Sequence, residues 1–446
     1  STCAGRPMIS MGSWFNHVWR WWLLASQPSS STVLPLDCGG CPYGVAWEQN
    51  YTGISHAGYS RLTPELPGQM VMTRFDATPV FGKSYISLVD LKTKSVENIA
   101  TAIDWPNVPT TLNASVFGFT VVVVGSGFLV PSHTTGGVWV MEPSDSPTHL
   151  PSPVKITSDQ KTSWWKPDAG WFYHKAVPLD MNGDGRYDLV TARCAYSVWP
   201  FNPKQGKMVW LEQPASAPFD GTAWVEHEIG DGPDFQFELA PADVLGTTEP
   251  GYLAACAAEF INEKLSFVYG SVGSGFSNRT LDASLGPGFG CLWTDLNGDG
   301  TSDLLVTNHQ NQNGSVVAYS WSGDLRDPKT AVSKHVLASG FSAVTTSSGT
   351  ASPGDAIPYR PADGATMRKP FIIVSADNGN AIYNLAPIDQ ADPSNWAYTK
   401  QQLSFIGADV GGLAVGDTDG DGFAELYVPA YDLGVVSKFD FVSIAA

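Results

Sequence analysis

The chain has 446 residues, 43% of them hydrophobic and only 15% charged, so it is globular rather than disordered. That length is too great for one ordinary compact domain unless the fold is built from repeats. A formal net charge of −18 argues against a nucleic-acid partner, and no run approaches the roughly 18 apolar residues that span a bilayer. Its 45 Gly, 32 Pro and 12% aromatics, beside so few charges, point to an all-β protein.

In chain order, residues 1–32 read as a Trp-rich arm carrying Trp14, Trp19, Trp21, Trp22, Leu23 and Leu24. Apolar surface of that size needs a partner. The arm is expected either to pack across its own folded body or to dock on a neighbouring copy and build a homopolymer. The start at Ser1 reads as a processed N-terminus. Six cysteines and four Asn-x-Ser/Thr sequons (Asn50, Asn113, Asn278, Asn313) agree with a secreted or cell-surface glycoprotein in an oxidising compartment. Cys3 is expected to bond one of Cys38 and Cys41. That close pair lacks the second half of a zinc site.

Residues 69–73 with 85–89, and 119–124 with 138–140, read as pairs of strands. Three segments then share the pattern D-x-[ND]-x-D-G-x-x-[DE]: residues 180–188, 295–303 and 417–425, each followed by a strand. The chemistry of this spacing is that of a hard cation. Side-chain oxygens come from Asp180, Asn182, Asp184 and Asp188; from Asp295, Asn297, Asp299 and Asp303; and from Asp417, Asp419, Asp421 and Glu425. The seventh position of each loop, Arg186, Thr301 or Phe423, adds a backbone carbonyl, and Gly at the sixth permits the sharp turn. An EF-hand would need Glu at position twelve, where Thr191, Val306 and Val428 stand, and flanking helices in place of β-branched runs.

Degenerate copies begin at Pro241-Ala242-Asp243 and Pro361-Ala362-Asp363. The first-Asp positions 180, 243, 295, 363 and 417 give a period of 52 to 68 residues. Each unit repeats a strand after the loop, a polar loop, an aromatic-rich strand and a further short strand. With the two upstream pairs this makes seven units of four strands, the signature of a seven-bladed β-propeller over residues 33–446. The last unit ends after its third strand, so a segment near residues 33–47 is expected to close the ring.

The three loops resemble the FG-GAP/VCBS repeats of integrin-α-like propellers, over roughly residues 68–442. The resemblance implies about three structural Ca²⁺ ions, held where a blade's first strand turns into its second. A weaker similarity, from Met208 to Gly230, links the chain to the propeller of the fungal aldos-2-ulose dehydratase family. That family's zinc is not carried over, because the eight histidines are scattered.

The face opposite the acidic loops is expected to carry function. It would display His133, Arg193, Tyr196, Trp199, Glu259, Asn262, Asn308, His309, Gln310, Asp377, Asn378, Tyr431 and Asp432 on loops between second and third strands. Between blades it would add Trp171, Tyr173, His174, Phe235, Phe237, Phe289, Tyr359 and Arg360. Aromatic faces with Asn, Asp and Arg suit carbohydrate. The leading expectation is an extracellular binding or assembly module for glycans or other surface proteins. The alternative is a carbohydrate lyase or dehydratase acting by β-elimination, with His133, His174, Arg193 and His309 as candidate catalytic residues.

Overall fold

The computed structural model describes residues 32–76, 78, 82–128, 135–150, 153–159, 170–195, 205–245, 249–346, 349–364 and 367–444. The fold is a seven-bladed β-propeller: seven antiparallel sheets, each a meander of strands a to d from the channel outward. Blades 1 and 2 span residues 57–100 and 106–155. Blade 3 is built from Phe172–Leu179, Asp188–Ala195, Gln205–Glu212 and Val225–Asp231. Blades 4, 5 and 6 span 236–282, 288–341 and 356–405.

Blade 7 supplies only Ala414–Gly416, Glu425–Ala430 and Val435–Ser443 from the C-terminal end. Its fourth strand is Tyr43–Thr52, paired antiparallel with Val435–Ser443 from Tyr43↔Ser443 to Thr52↔Val435. The closing strand overlaps the expected segment at residues 43–47 and runs on to Thr52. Val33–Pro35 adds a fifth, outermost strand on Tyr43–Thr52.

Strand b shows why these residues make blades. In blade 2 it is Val121–Ser126, whose four valines are all fully buried. Side chains alternate across a strand, so Val121 and Val123 pack with Tyr173, Ala176 and Leu189 of blade 3. Val122 and Val124 pack with Val71, Ile86 and Leu88 of blade 1. A continuous apolar run is therefore required where both sheet faces are covered. The core is a ring of such inter-blade layers, including Met70 and Met72 against Tyr427 and Val436, which join blade 1 to blade 7.

Because each blade is a meander, the a–b and c–d loops leave on one face, called lower here. The b–c loops and the links between blades leave on the upper face. Two short helices, Ala114–Phe117 and Ala242–Leu245, lie in a–b loops on the lower face. No described helix is long and apolar enough to cross a membrane.

Cys38 bonds Cys41, and Cys256 bonds Cys291. The expectation that Cys3 pairs with Cys38 or Cys41 is thereby overturned, since those two satisfy each other across a three-residue separation. Asn113, Asn278 and Asn313 are exposed, whereas Asn50 lies half-buried in the closing strand and accepts a hydrogen bond from Ser437 Oγ at 2.9 Å.

Candidate functional site

The three acidic loops are the a–b turns of blades 3, 5 and 7, and they fold alike. In the first, Asp180 Oδ1 accepts from Gly183 N at 2.8 Å and Oδ2 accepts from Gly185 N at 2.9 Å. Asp295 makes the same pair with Gly298 and Gly300, at 2.7 and 2.9 Å. Asp417 makes it with Gly420 and Gly422, at 2.7 and 3.0 Å. The sixth-position glycines Gly185, Gly300 and Gly422 have φ of 84°, 90° and 87°, a region costly for other residues. The ninth-position acids turn back: Asp188, Asp303 and Glu425 accept from the backbone N–H of Met181, Leu296 and Thr418.

These acids crowd one another. In blade 7, one oxygen each of Asp417, Asp419, Asp421 and Glu425 fall within 4.8 Å. Asp303 is pushed up to about 7 by burial, reinforced by Asp299 and Asp295. Burial also raises Asp188 and Glu425. A hard, oxygen-seeking cation would fit such a donor set, since in the blade 7 loop four carboxylates gather and in each loop the ninth-position acid is buried beside like charges.

The upper face is organised differently. Phe75, Phe128, Phe260, His309 and Tyr431 stand at or just beyond the end of strand b in blades 1, 2, 4, 5 and 7. Residues between blades link them into an arc of ring contacts. It runs from Tyr431 to Phe75 (5.6 Å), Trp105 (4.4 Å), Phe128 (5.2 Å), Phe172 (5.9 Å) and Phe235 (5.8 Å). It continues to Phe260 (5.2 Å) and His309 (6.1 Å), which stacks on Phe289 at 4.6 Å. Beyond His309 the lining turns acidic: its Nε2 lies 3.6 Å from Asp377. Burial, together with Asp409 and Asp355, raises the Asp377 carboxyl well above its usual range.

Among the described residues, the candidate catalytic side chains His174, Arg193 and His309 do not converge. His133 lies outside the described residues, as do Tyr196 and Trp199. His174 is buried against Phe235 at 4.4 Å, with neither ring nitrogen hydrogen-bonded, and burial lowers it to about 3. His309 Nδ1 contacts the Pro353 carbonyl at 2.7 Å, and burial holds it at about 4. Phe235 and Phe260 stand between these two histidines. Tyr173, Phe237 and Tyr359, expected on the surface, are buried within blades, because the inner strands begin earlier than their turn-like neighbours suggest. Arg360, expected on the upper face, follows the lower end of its strand and is exposed there.

Arg193 faces outward into a cavity of about 110 Å³ between blades 2 and 3, lined by Thr157, Ser158, Asp159, Trp171, Tyr173 and Glu226 among others. Its guanidinium lies 4.1 Å over the Trp171 ring and donates through Nη1 to Glu226. Tyr173 Oη donates to the other Glu226 oxygen at 3.2 Å. The Nε of Arg193 is buried and makes no hydrogen bond.

Sequence reasoning missed Phe75, Phe128 and Phe260. Their signal was present as an aromatic residue at the end of the second strand in blades 1, 2 and 4, in register with the His309 and Tyr431 already singled out.

No protein-family model matches the chain, and no curated protein matches it by sequence. In structure it is similar to the β-propeller domain of Vanderwaltozyma polyspora Nup133, with a TM-score of 0.48, 10% identity, and coverage of 92% of this chain and 99% of that one. It is similar to Penicillium chrysogenum α-L-arabinanase complexed with arabinobiose, at 0.40, 12%, 90% and 99%. For puromycin hydrolase the values are 0.47, 13%, 90% and 56%.

Proposed function

We propose that this chain is a calcium-stabilised propeller of the FG-GAP/VCBS kind that acts outside the cell as a glycan-binding module. The groove between blades 2 and 3 carries the binding part of this reading. It is lined by the guanidinium-bearing Arg193, the carboxylates of Glu226 and Asp159, the hydroxyls of Thr157 and Ser158, and the rings of Trp171 and Tyr173. Sugars ask for that mixture, because each ring offers apolar C–H faces and an edge of hydroxyls that both donate and accept. Crowded, buried carboxylates in three equivalent loops support the calcium part. Two disulfides agree with an oxidising compartment.

The test is a glycan array probed with native protein, followed by titration calorimetry of any hit against Trp171→Ala and Arg193→Ala. Each variant is expected to weaken binding at least tenfold while calcium still raises the melting temperature. Absence of any glycan hit, or unchanged affinity in both variants, overturns the reading. Release of unsaturated sugar products in the same mixtures would establish the β-elimination alternative instead.

A further inference from the structure

The outermost strand of blade 4, Gly275–Asp282, carries the sequence Phe276-Ser277-Asn278-Arg279-Thr280. Side chains alternate along a strand, so residues two apart share a face and stand about 7 Å apart. Phe276, Asn278 and Thr280 therefore form one row. The other row turns toward blade 5, where the Arg279 guanidinium donates to the carbonyls of Leu325, Asp327 and Thr330 at 2.6, 2.9 and 2.6 Å. The first row faces blade 3. Phe276 packs against the cluster that holds Ile229 and Val268, and Asn278 Nδ2 donates to the Asp231 carbonyl at 3.1 Å.

A groove of about 110 Å³ opens beside this row, between the outer strands of blades 3 and 4, and Gly230, Asp231, Pro233, Phe276 and Asn278 are among its lining. Neither backbone nor packing demands glycine at position 230: its φ is not positive, and an added Cβ would meet nothing within 4 Å. Glycine inside a strand weakens it and marks a place that another group approaches closely. At Gly232 an added Cβ would press on Asn278 Nδ2 at 3.0 Å. The two glycines thus leave room around one amide nitrogen. Asn278 is exposed and opens the acceptor pattern Asn-x-Thr. Of the four sequons it alone has an aromatic residue two places earlier, where Glu48, Thr111 and Asn311 precede Asn50, Asn113 and Asn313. A ring on the same face of the strand offers a flat apolar surface to the C–H face of a sugar joined to Nδ2.

We propose that Asn278 carries an N-linked glycan whose first sugar, a 2-acetamido hexose, lies in this groove against the Phe276 ring and joins the rims of blades 3 and 4. This modification rests on the extracellular reading above, because only an exported chain meets the sugar donor. In the transfer step Asn278 Nδ2 attacks C1 of the first sugar of a polyprenyl-diphosphate oligosaccharide. The N–C1 bond forms. The C1–O bond breaks with its electron pair on the departing polyprenyl diphosphate, and one amide proton passes to a base of the transferase. The second amide hydrogen stays and serves the bond to Asp231. The glycan is then a covalent part of the outer wall, facing away from the channel.

Peptide mapping of the native full-length protein tests the modification. Peptide-N-glycosidase in heavy-oxygen water converts each glycosylated Asn to a labelled Asp. Label at Asn278 in most molecules is expected. Protein recovered outside the cell with Asn278 unlabelled would overturn the modification alone, whatever the state of the other sequons. Unlabelled protein recovered only from the cell interior would overturn the extracellular reading with it. A second measurement reads the seat of the sugar. Thr280→Ala removes the acceptor pattern while sparing Asn278 and Phe276. Amide exchange across Val225–Asp231 and Gly275–Asp282 is expected to rise about threefold or more. In a Phe276→Leu background the same change is expected to raise it far less. An equal rise in both backgrounds would be a local effect of Thr280 and, like no rise in either, would overturn the contact with Phe276.

Discussion

Cys256, on strand b of blade 4, is bonded to Cys291, on strand a of blade 5, so this crosslink runs between blades rather than within one. It closes a 35-residue loop through the outer half of blade 4 and the link to blade 5. Loop-closure entropy puts its contribution at about 4 kcal/mol. Replacing both cysteines by Ala is expected to lower unfolding free energy by that order, measured by urea denaturation. Both positions lie in a packed layer with Leu304 and Val306, so the variant should keep its far-ultraviolet dichroism.

A second bond joins the same two blades on the lower face. The degenerate loop of blade 4 uses Asp243 Oδ2 to accept from Ser302 N, at 2.8 Å, inside the acidic loop of blade 5. Blade 6 does likewise for blade 7, where Asp363 N donates to the Gly422 carbonyl at 2.7 Å. The degenerate loops of blades 4 and 6 thus brace the acidic loops of blades 5 and 7. Asp243→Ala is expected to cost about 1 kcal/mol. On the proposed calcium reading it should also weaken cation binding at the blade 5 loop, measured by calorimetry.

Much of this architecture was legible because three glycine-bearing acidic turns punctuate the chain at equivalent points, and because uninterrupted runs such as Val121–Ser126 can only be strands covered on both faces. What failed was depth. Tyr173, Phe237 and Tyr359 follow turn-like residues and read as surface, but period-two alternation does not distinguish a channel-facing side chain from one between blades. The Cys256–Cys291 pairing was equally hidden, since it depends on how neighbouring blades stack.

Close approach between blades 2 and 3 depends on Gly125. A Cβ there would lie 2.6 Å from the Tyr173 carbonyl oxygen, a backbone atom that cannot swing aside. Gly125→Ala is expected to destabilise by about 1–3 kcal/mol through forced separation of the blades. At Gly273 an added Cβ meets nothing within 4 Å. Gly273→Ala should therefore leave the urea midpoint nearly unchanged and serve as the control.

Glu142 offers a titration with a definite sign. Burial opposes its ionisation, yet the His149 side chain and the backbone N–H groups of Leu150 and His149 outweigh it, holding the carboxyl at about 2. A carboxyl depressed on folding stabilises above its unfolded value, near 4.5, and loses that contribution as pH falls through about 2. Glu142→Gln should cost on the order of 2–3 kcal/mol at pH 7. The gap from wild type should narrow steadily below pH 4.5 in acid-denaturation curves.

The strand that completes blade 7 finds its partner about 390 positions later in the chain. On a ribosome adding roughly 5–20 residues per second, Tyr43–Thr52 emerges early and waits some tens of seconds with its hydrogen-bonding edge unpaired. Closure must therefore await synthesis of Val435–Ser443. A nascent chain stalled anywhere before Val435 presents that open edge to chaperones and to other nascent chains alike, so premature termination should yield sticky fragments rather than smaller propellers.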